Sequence, residues 1–178
     1  MGVLIGPNTL YYVIVRPKGK LREDFDFSDE KVRKPALLRP EMGERGTGDM
    51  AITVIAITNQ KGGVGKTTTA AALLTGLHRR GAAVLGVDMD PQGSLGFSLG
   101  LDIEHCTTIY DVFRGQAEPE QAIVRTDTCD ILPSNILLSG AELEFNRPGR
   151  EFLLKTALSK VEDQYDYIII IHRRPSVC

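Results

Sequence analysis

The sequence has no tryptophan, only three cysteines and three histidines, and aromatic residues make up 6% of it. Cys106, Cys129 and Cys178 are far apart and odd in number, so they form neither a disulfide framework nor a Cys-x-x-Cys metal site. They read as free thiols of a cytosolic protein. Paired cluster cysteines are missing too, which excludes an iron–sulfur reductase. Apolar runs are short. Stretches such as Tyr167–Ile171 fall far below the ~20 residues that cross a bilayer. The opening MGVLIGPNTLYYVIVRPKGK has no basic region ahead of its apolar stretch, and Pro7 and Asn8 interrupt it. No small-residue cleavage site follows, so no secretory signal is expected. An excess of charge is also lacking. Lys and Arg number 21 against 23 Asp and Glu, a net charge of -2, which offers no whole-chain attraction for nucleic acid.

What is present is an ordinary globular balance. The chain has 178 residues, is 42% hydrophobic and 25% charged, and has a mean hydropathy of -0.08. That suits about one domain. The texture changes near residue 50. Residues 1–49 carry four of the nine prolines and mixed charge clusters, with one candidate strand at Thr9–Val15 and the linker-like RPEMGERGTGD from Arg39. They read as a poorly structured extension or linker.

From Ala51 to Thr58 the β-branched run AITVIAIT predicts a strand buried on both faces of a parallel sheet. A glycine-rich turn follows, then a helix with Ala70, Leu73, Leu74 and Leu77 at i, i+3, i+4, i+7. Arg79 and Arg80 suit its C-terminal dipole, and Gly81 is a stop. Ala82–Val87 predicts a second buried strand ending at Asp88-Met89-Asp90, with a right-handed crossover between the two strands. Short helices are expected at Thr107–Arg114, Glu118–Val124 and Leu137–Phe145, and a longer one from Pro148 to Val161. Strands are expected at Cys129–Leu132 and Asp166–Ile171.

The informative stretch is Asn59-Gln-Lys-Gly-Gly-Val-Gly-Lys-Thr-Thr68, between strand and helix. Gly62, Gly63 and Gly65, with Val64 among them, let backbone N–H groups curl inward, and the following helix adds its positive end. A polyphosphate fits such a nest. Lys66 reaches β- and γ-phosphates, the Thr67 hydroxyl suits Mg²⁺, and Thr68 lies near the α-phosphate. The ordinary G-x-x-x-x-G-K-[ST] pattern is not met, because its first glycine position holds Gln60. A second lysine, Lys61, stands at the head of the loop instead. A turn that merely joined strand to helix would not require lysines at both ends and two threonines.

KGGVGKTT resembles the deviant Walker A box of the ParA/MinD superfamily of ATPases. VLGVDMDPQGSLGFSLGLD (Val84–Asp102), CDILPSNILLSGAELEF (Cys129–Phe145) and REFLLKTALSKVEDQYDYIII (Arg150–Ile170) resemble segments of ParA-type partition ATPases. The DPQG and LPSN…GAE segments favour ParA over its MinD relatives. The resemblance covers about residues 50–170, close to the first half of such a protein. It implies an α/β P-loop NTPase fold, a three-layer sandwich with a mostly parallel sheet, incomplete and corresponding to the N-terminal half of the family domain.

The resemblance also implies function: binding and hydrolysis of Mg-ATP, ATP-dependent homodimerisation, a ParB-type partner, non-specific DNA binding and a role in plasmid or chromosome partitioning. The expected setting is the cytoplasm, in association with the nucleoid. No membrane role is expected, since no terminal amphipathic helix is present. By the same resemblance, Lys61 reaches the partner's phosphates, Asp90 orients the attacking water, and Asp88 helps hold hydrated magnesium. Lys61, Lys66 and Asp90 are thus the expected catalytic residues. Lys61 through Thr68 form the nucleotide cradle, and Thr67 and Asp88 are on the metal. Such chemistry needs charge neutralisation and a positioned water more than covalent help.

One position departs from the family. Where ParA-like strands end in the Walker B aspartate, this chain has Ile171, followed by His-Arg-Arg-Pro-Ser-Val-Cys178. Loss of pattern inside a motif suggests a frameshift or premature stop. Met50 stands where a family member would begin, so residues 1–49 read as upstream sequence from a false start. The alternative reading is accordingly a truncated, non-catalytic nucleotide-binding fragment. His172, Arg173 and Arg174 read as a loosely held tail.

Overall fold

Val, Ile and Thr crowd the segment TVIAIT, and it forms an interior strand of a seven-stranded sheet. The computed structural model describes residues 3–4, 10–16, 52–59, 62–140 and 152–173. In chain order the strands are β1 (Val3–Leu4), β2 (Leu10–Arg16), β3 (Thr53–Thr58), β4 (Val84–Met89), β5 (Val124–Arg125), β6 (Asp130–Leu132) and β7 (Tyr167–His172). The helices are α1 (Lys66–His78), α2 (Ser94–Ser98), α3 (Ile109–Phe113), α4 (Pro119–Ala122) and α5 (Leu153–Leu158).

The spatial order is β1-β2-β3-β7-β4-β6-β5. β3, β7, β4 and β6 run parallel, while β1, β2 and β5 pair antiparallel at the two sides. The last strand in sequence thus inserts between β3 and β4. Thr58, His172 and Met89 lie side by side at the carboxyl end of these three strands.

Side chains of a strand alternate between faces, and two apolar clusters follow from that. On one face Ile55, Ile57, Val84, Ile131, Ile169 and Ile171 pack with Ala70 and Leu74 of α1 and Leu95 of α2. On the other, Leu85, Val87, Leu132 and Ile168 pack with Ile109, Tyr110 and Leu158 of the opposite helical layer. This is the expected three-layer α/β arrangement, with a mostly parallel sheet.

Local chemistry explains the helix ends. Gly81, at φ 83°, ends α1 with Gly81 N–H donating to the His78 carbonyl and Ala82 N–H to the Leu77 carbonyl, a Schellman closure. The Asp111 carboxylate accepts from both the backbone N–H and the hydroxyl of Thr108, which starts α3. Pro119 begins α4, and Gln121 accepts the Glu118 N–H.

Several boundaries differ from the sequence reading. The candidate strand at Thr9–Val15 occupies Leu10–Arg16 and pairs with β3. The second buried strand starts at Val84 and runs on to Met89, because Gly81, Ala82 and Ala83 are used in leaving α1 and meeting Asp166. The helix expected over Glu118–Val124 stops at Ala122, and Val124–Arg125 are a strand on β6. A two-residue strand has no periodicity of its own to read. α2 was not anticipated. Of the helix expected from Pro148, Leu153–Leu158 is helical, and a 3₁₀ turn at Glu162–Gln164 leads to β7. Residues 148–151 and 141–145 lie outside the described residues.

Candidate nucleotide site

The parallel strands all deliver their carboxyl ends to one side of the sheet, where open α/β folds place their ligands. β3 feeds residues 62–65 and then α1. Gly63 and Gly65 sit at φ 69° and 86°, values that favour glycine and bend the chain into the helix. A Cβ added at Gly62 or Gly63 would meet nothing within 4 Å, so this arc faces open space. α1 begins at Lys66 with no side-chain cap, and no acidic residue lies in its first turn. The positive end of its dipole thus faces the glycine arc with no acidic side chain in the first turn to offset it. Lys66 is buried, Thr67 half-buried and Thr68 exposed. Gln60 and Lys61 lie outside the described residues.

Asp88 lies near the end of β4 and Asp90 just after the strand ends at Met89, with β7 between β4 and β3. Asp88 is wholly buried, and its carboxylate is anchored by backbone. One oxygen accepts the Asp90 N–H at 2.9 Å and the other the Leu95 N–H at 2.9 Å. Burial pushes its carboxyl up to about 6, aided by the charge of Asp90, while those N–H groups pull the other way. Asp90 accepts the Gln92 N–H, and the Ser134 hydroxyl donates to the Asp90 carbonyl. The Asp-Pro-Gln-Gly turn is thus tied to both β4 and the segment after β6. Sequence reading did not single out Ser134, although the Leu-Pro-Ser-Asn string after β6 was its signal.

The same reading missed Thr58. Its buried hydroxyl at the end of β3 has no hydrogen-bond partner among the described residues. Ile171 stands in register beside both Ile57 and Asp88 and is buried in the α1-side cluster, so that position offers hydrocarbon where a carboxylate was sought. Burial raises the thiol pKa of Cys106 and Cys129, which fits inert thiols. Among the described residues no group of three or more His, Cys, Asp or Glu could hold a metal ion without further ligands. Thr67 and Asp88 offer hydroxyl and carboxylate oxygen, the donor types that a magnesium ion accepts beside water and phosphate oxygens.

Residues 52–177 match the family AAA_31, described as an AAA domain. The chain belongs to this AAA-domain family. This chain is 46% identical over 123 residues to the sporulation initiation inhibitor protein Soj of Bacillus subtilis, covering 66% of this chain and 48% of Soj. It is 42% identical over 132 residues to the chromosome partitioning protein ParA of Myxococcus xanthus, covering 72% and 46%. Among solved structures it resembles cobyrinic acid a,c-diamide synthase from Mycobacterium smegmatis with bound ATP analog and magnesium. The TM-score is 0.63 at 48% identity, over 66% of this chain and 49% of that one. It also resembles a plasmid partition protein from Borrelia burgdorferi, at TM-score 0.56 and 32% identity over 66% and 54%. This AAA_31 chain spans about half the length of the curated relatives it matches. No helix among its described residues is long and apolar enough to cross a membrane.

Proposed function

We propose that this chain binds Mg-ATP on the arc from residue 62 to Thr68, as the nucleotide-binding half of a ParA/Soj-type partition ATPase. One observation carries the reading. A glycine arc with two left-handed residues leads from a buried parallel strand into an uncapped helix that starts at a buried lysine. Gly62, Gly63, Val64 and Gly65 would cradle phosphates with their N–H groups, Lys66 would neutralise the β- and γ-phosphates, and Thr68 would lie near the α-phosphate. Thr67 would bind the metal directly and Asp88 through water, while Asp90 would orient the attacking water. Lys61 would reach the site of a second copy. The magnesium ion, when bound, supplies neutralisation of the charge that builds on the transferred phosphoryl group.

ATP-dependent homodimerisation, a ParB-type partner and non-specific DNA binding belong to the same proposal, with the cytoplasm and nucleoid as the setting. The similarity to relatives named for partitioning supports it. So do neighbours solved with an ATP analog or ADP and magnesium. Residues 1–49 are proposed as an extension ahead of an ATPase unit over 50–178.

Ile171 favours a second reading. With a buried hydrocarbon beside Asp88, the chain would hold nucleotide while hydrolysing it slowly or not at all. Titration of a fluorescent ATP analogue into the wild type and Lys66→Ala, with Mg²⁺ present, tests nucleotide binding. Affinity should fall at least tenfold in the variant, and equal affinity would defeat the reading. Phosphate release by the wild type then separates an ATPase from a nucleotide-holding chain.

A further inference from the structure

Residues 10–16 lie outside the family match over 52–177, yet they pair along nearly all of the outer edge of the strand that feeds the phosphate loop. The antiparallel register runs from Tyr12 opposite Thr58 to Arg16 opposite Val54. The inner edge of β3 is taken by β7 along its full length. β3 reads TVIAIT and contains no charge, proline or glycine, the devices that blunt a free strand edge. Unpaired, such an edge is a template for a strand of another molecule. β2 itself reads LYYVIVR, with its one charge at the last residue. Two of its residues pair with β1, and it ends at Arg16, followed in sequence by Pro17 and Lys18. At the far side, the sheet closes on β5, only two residues long and ending in Arg125.

We propose that residues 10–16 are a built-in edge strand that stops the phosphate-loop strand from pairing with the same strand of a second copy of this chain. The proposal concerns the sheet edge and does not depend on nucleotide binding. Its action is competitive: β2 is tethered to β3 by the chain itself, so its effective concentration at the edge exceeds that of a second copy at ordinary protein concentrations.

The test compares the full chain with Val13→Pro/Ile14→Pro in the full chain. Adjacent ladder residues alternate in direction, so one of the two prolines removes an N–H aimed at β3. The wild type should sediment as a monomer in the absence of nucleotide, with the amides of residues 53–58 protected from hydrogen exchange. The variant should lose at least tenfold protection over 53–58, keep it over 66–78 and 84–89, and form concentration-dependent oligomers. Unchanged protection over 53–58, a variant that stays monomeric, or a wild type that self-associates without nucleotide would each overturn the proposal. Should the double proline unfold the whole sheet, Ile14→Cys/Ala56→Cys decides, with Val13→Cys/Ala56→Cys as the out-of-register control. Faster intramolecular disulfide formation in the first pair supports the proposal, and equal or absent formation overturns it.

Discussion

The Asp88 carboxylate holds the Asp90 backbone N–H at 2.9 Å, so one carboxylate of the pair fixes where the other begins. Its second oxygen holds Leu95 N–H, the first turn of α2. Asp88→Ala would leave two buried N–H groups without acceptors, at a cost of about 1–3 kcal/mol each. Urea denaturation should show that loss, and Asp88→Asn, which keeps one acceptor oxygen, should lose less. Equal stability of wild type and Asp88→Ala would remove the anchoring role.

Gly93 tolerates no side chain. It sits at φ 61°, and an added Cβ would lie 2.6 Å from Ile103 Cδ1 and 2.7 Å from the Ser134 carbonyl oxygen. The isoleucine end can move, but the carbonyl belongs to the segment whose serine holds Asp90. Gly93→Ala should therefore destabilise the chain by roughly 2 kcal/mol or more, from backbone strain and overpacking together. Thermal unfolding checks this, with Gly100→Ala as a comparison. Gly100 has a similar φ of 82° but open space around it, so that substitution should cost less.

Ile171→Asp should restore a carboxylate beside Asp88 at a buried position. Without ligand the unpaired charge should cost roughly 3 kcal/mol. Mg-ATP should then raise the unfolding temperature of the variant more than that of the wild type, because the ion compensates the new charge only in the folded state. Equal shifts in the two proteins would show that position 171 does not face the metal.

Tyr165 donates its hydroxyl to Asp130 Oδ2 at 2.8 Å, and burial, with the Asp130 carboxylate, raises its pKa well above 10. The folded state therefore keeps a proton that the unfolded chain loses near pH 10. The contribution is fully present below pH 10 and falls as pH rises from there toward the folded value. Stability measured from pH 9 to 11 should decline more steeply in the wild type than in Tyr165→Phe. At neutral pH the phenylalanine variant should lose about 1.5–3 kcal/mol, the worth of a hydrogen bond to a charged group.

Much of the site was readable without coordinates. A β-branched run, a glycine arc and an apolar 3.6-residue period are local signals, and β3, the loop and α1 follow from them. β7 was equally plain, since YIIII admits little except a strand buried on both faces. Ile171 at the expected aspartate position was visible as a residue type. Its contact with the α1-side cluster, in register with Asp88, was not.

The remainder depended on partners far away in the chain. Val124 closes a helical pattern in sequence, and only β6 makes it and Arg125 a strand. Ser134 and Asp90 are 44 residues apart, and although the Leu-Pro-Ser-Asn string marks Ser134, only the fold brings its hydroxyl to the Asp90 carbonyl. Sequence by itself determined the fold class and the glycine arc between β3 and α1, because short-range periodicity and glycine's freedom at positive φ are written residue by residue. Tertiary structure alone decided that β7 enters between β3 and β4, that residues 10–16 take the outer edge of β3, and that Asp88 serves the backbone. Strand pairing and buried hydrogen bonds are satisfied between segments that never meet until the chain has folded.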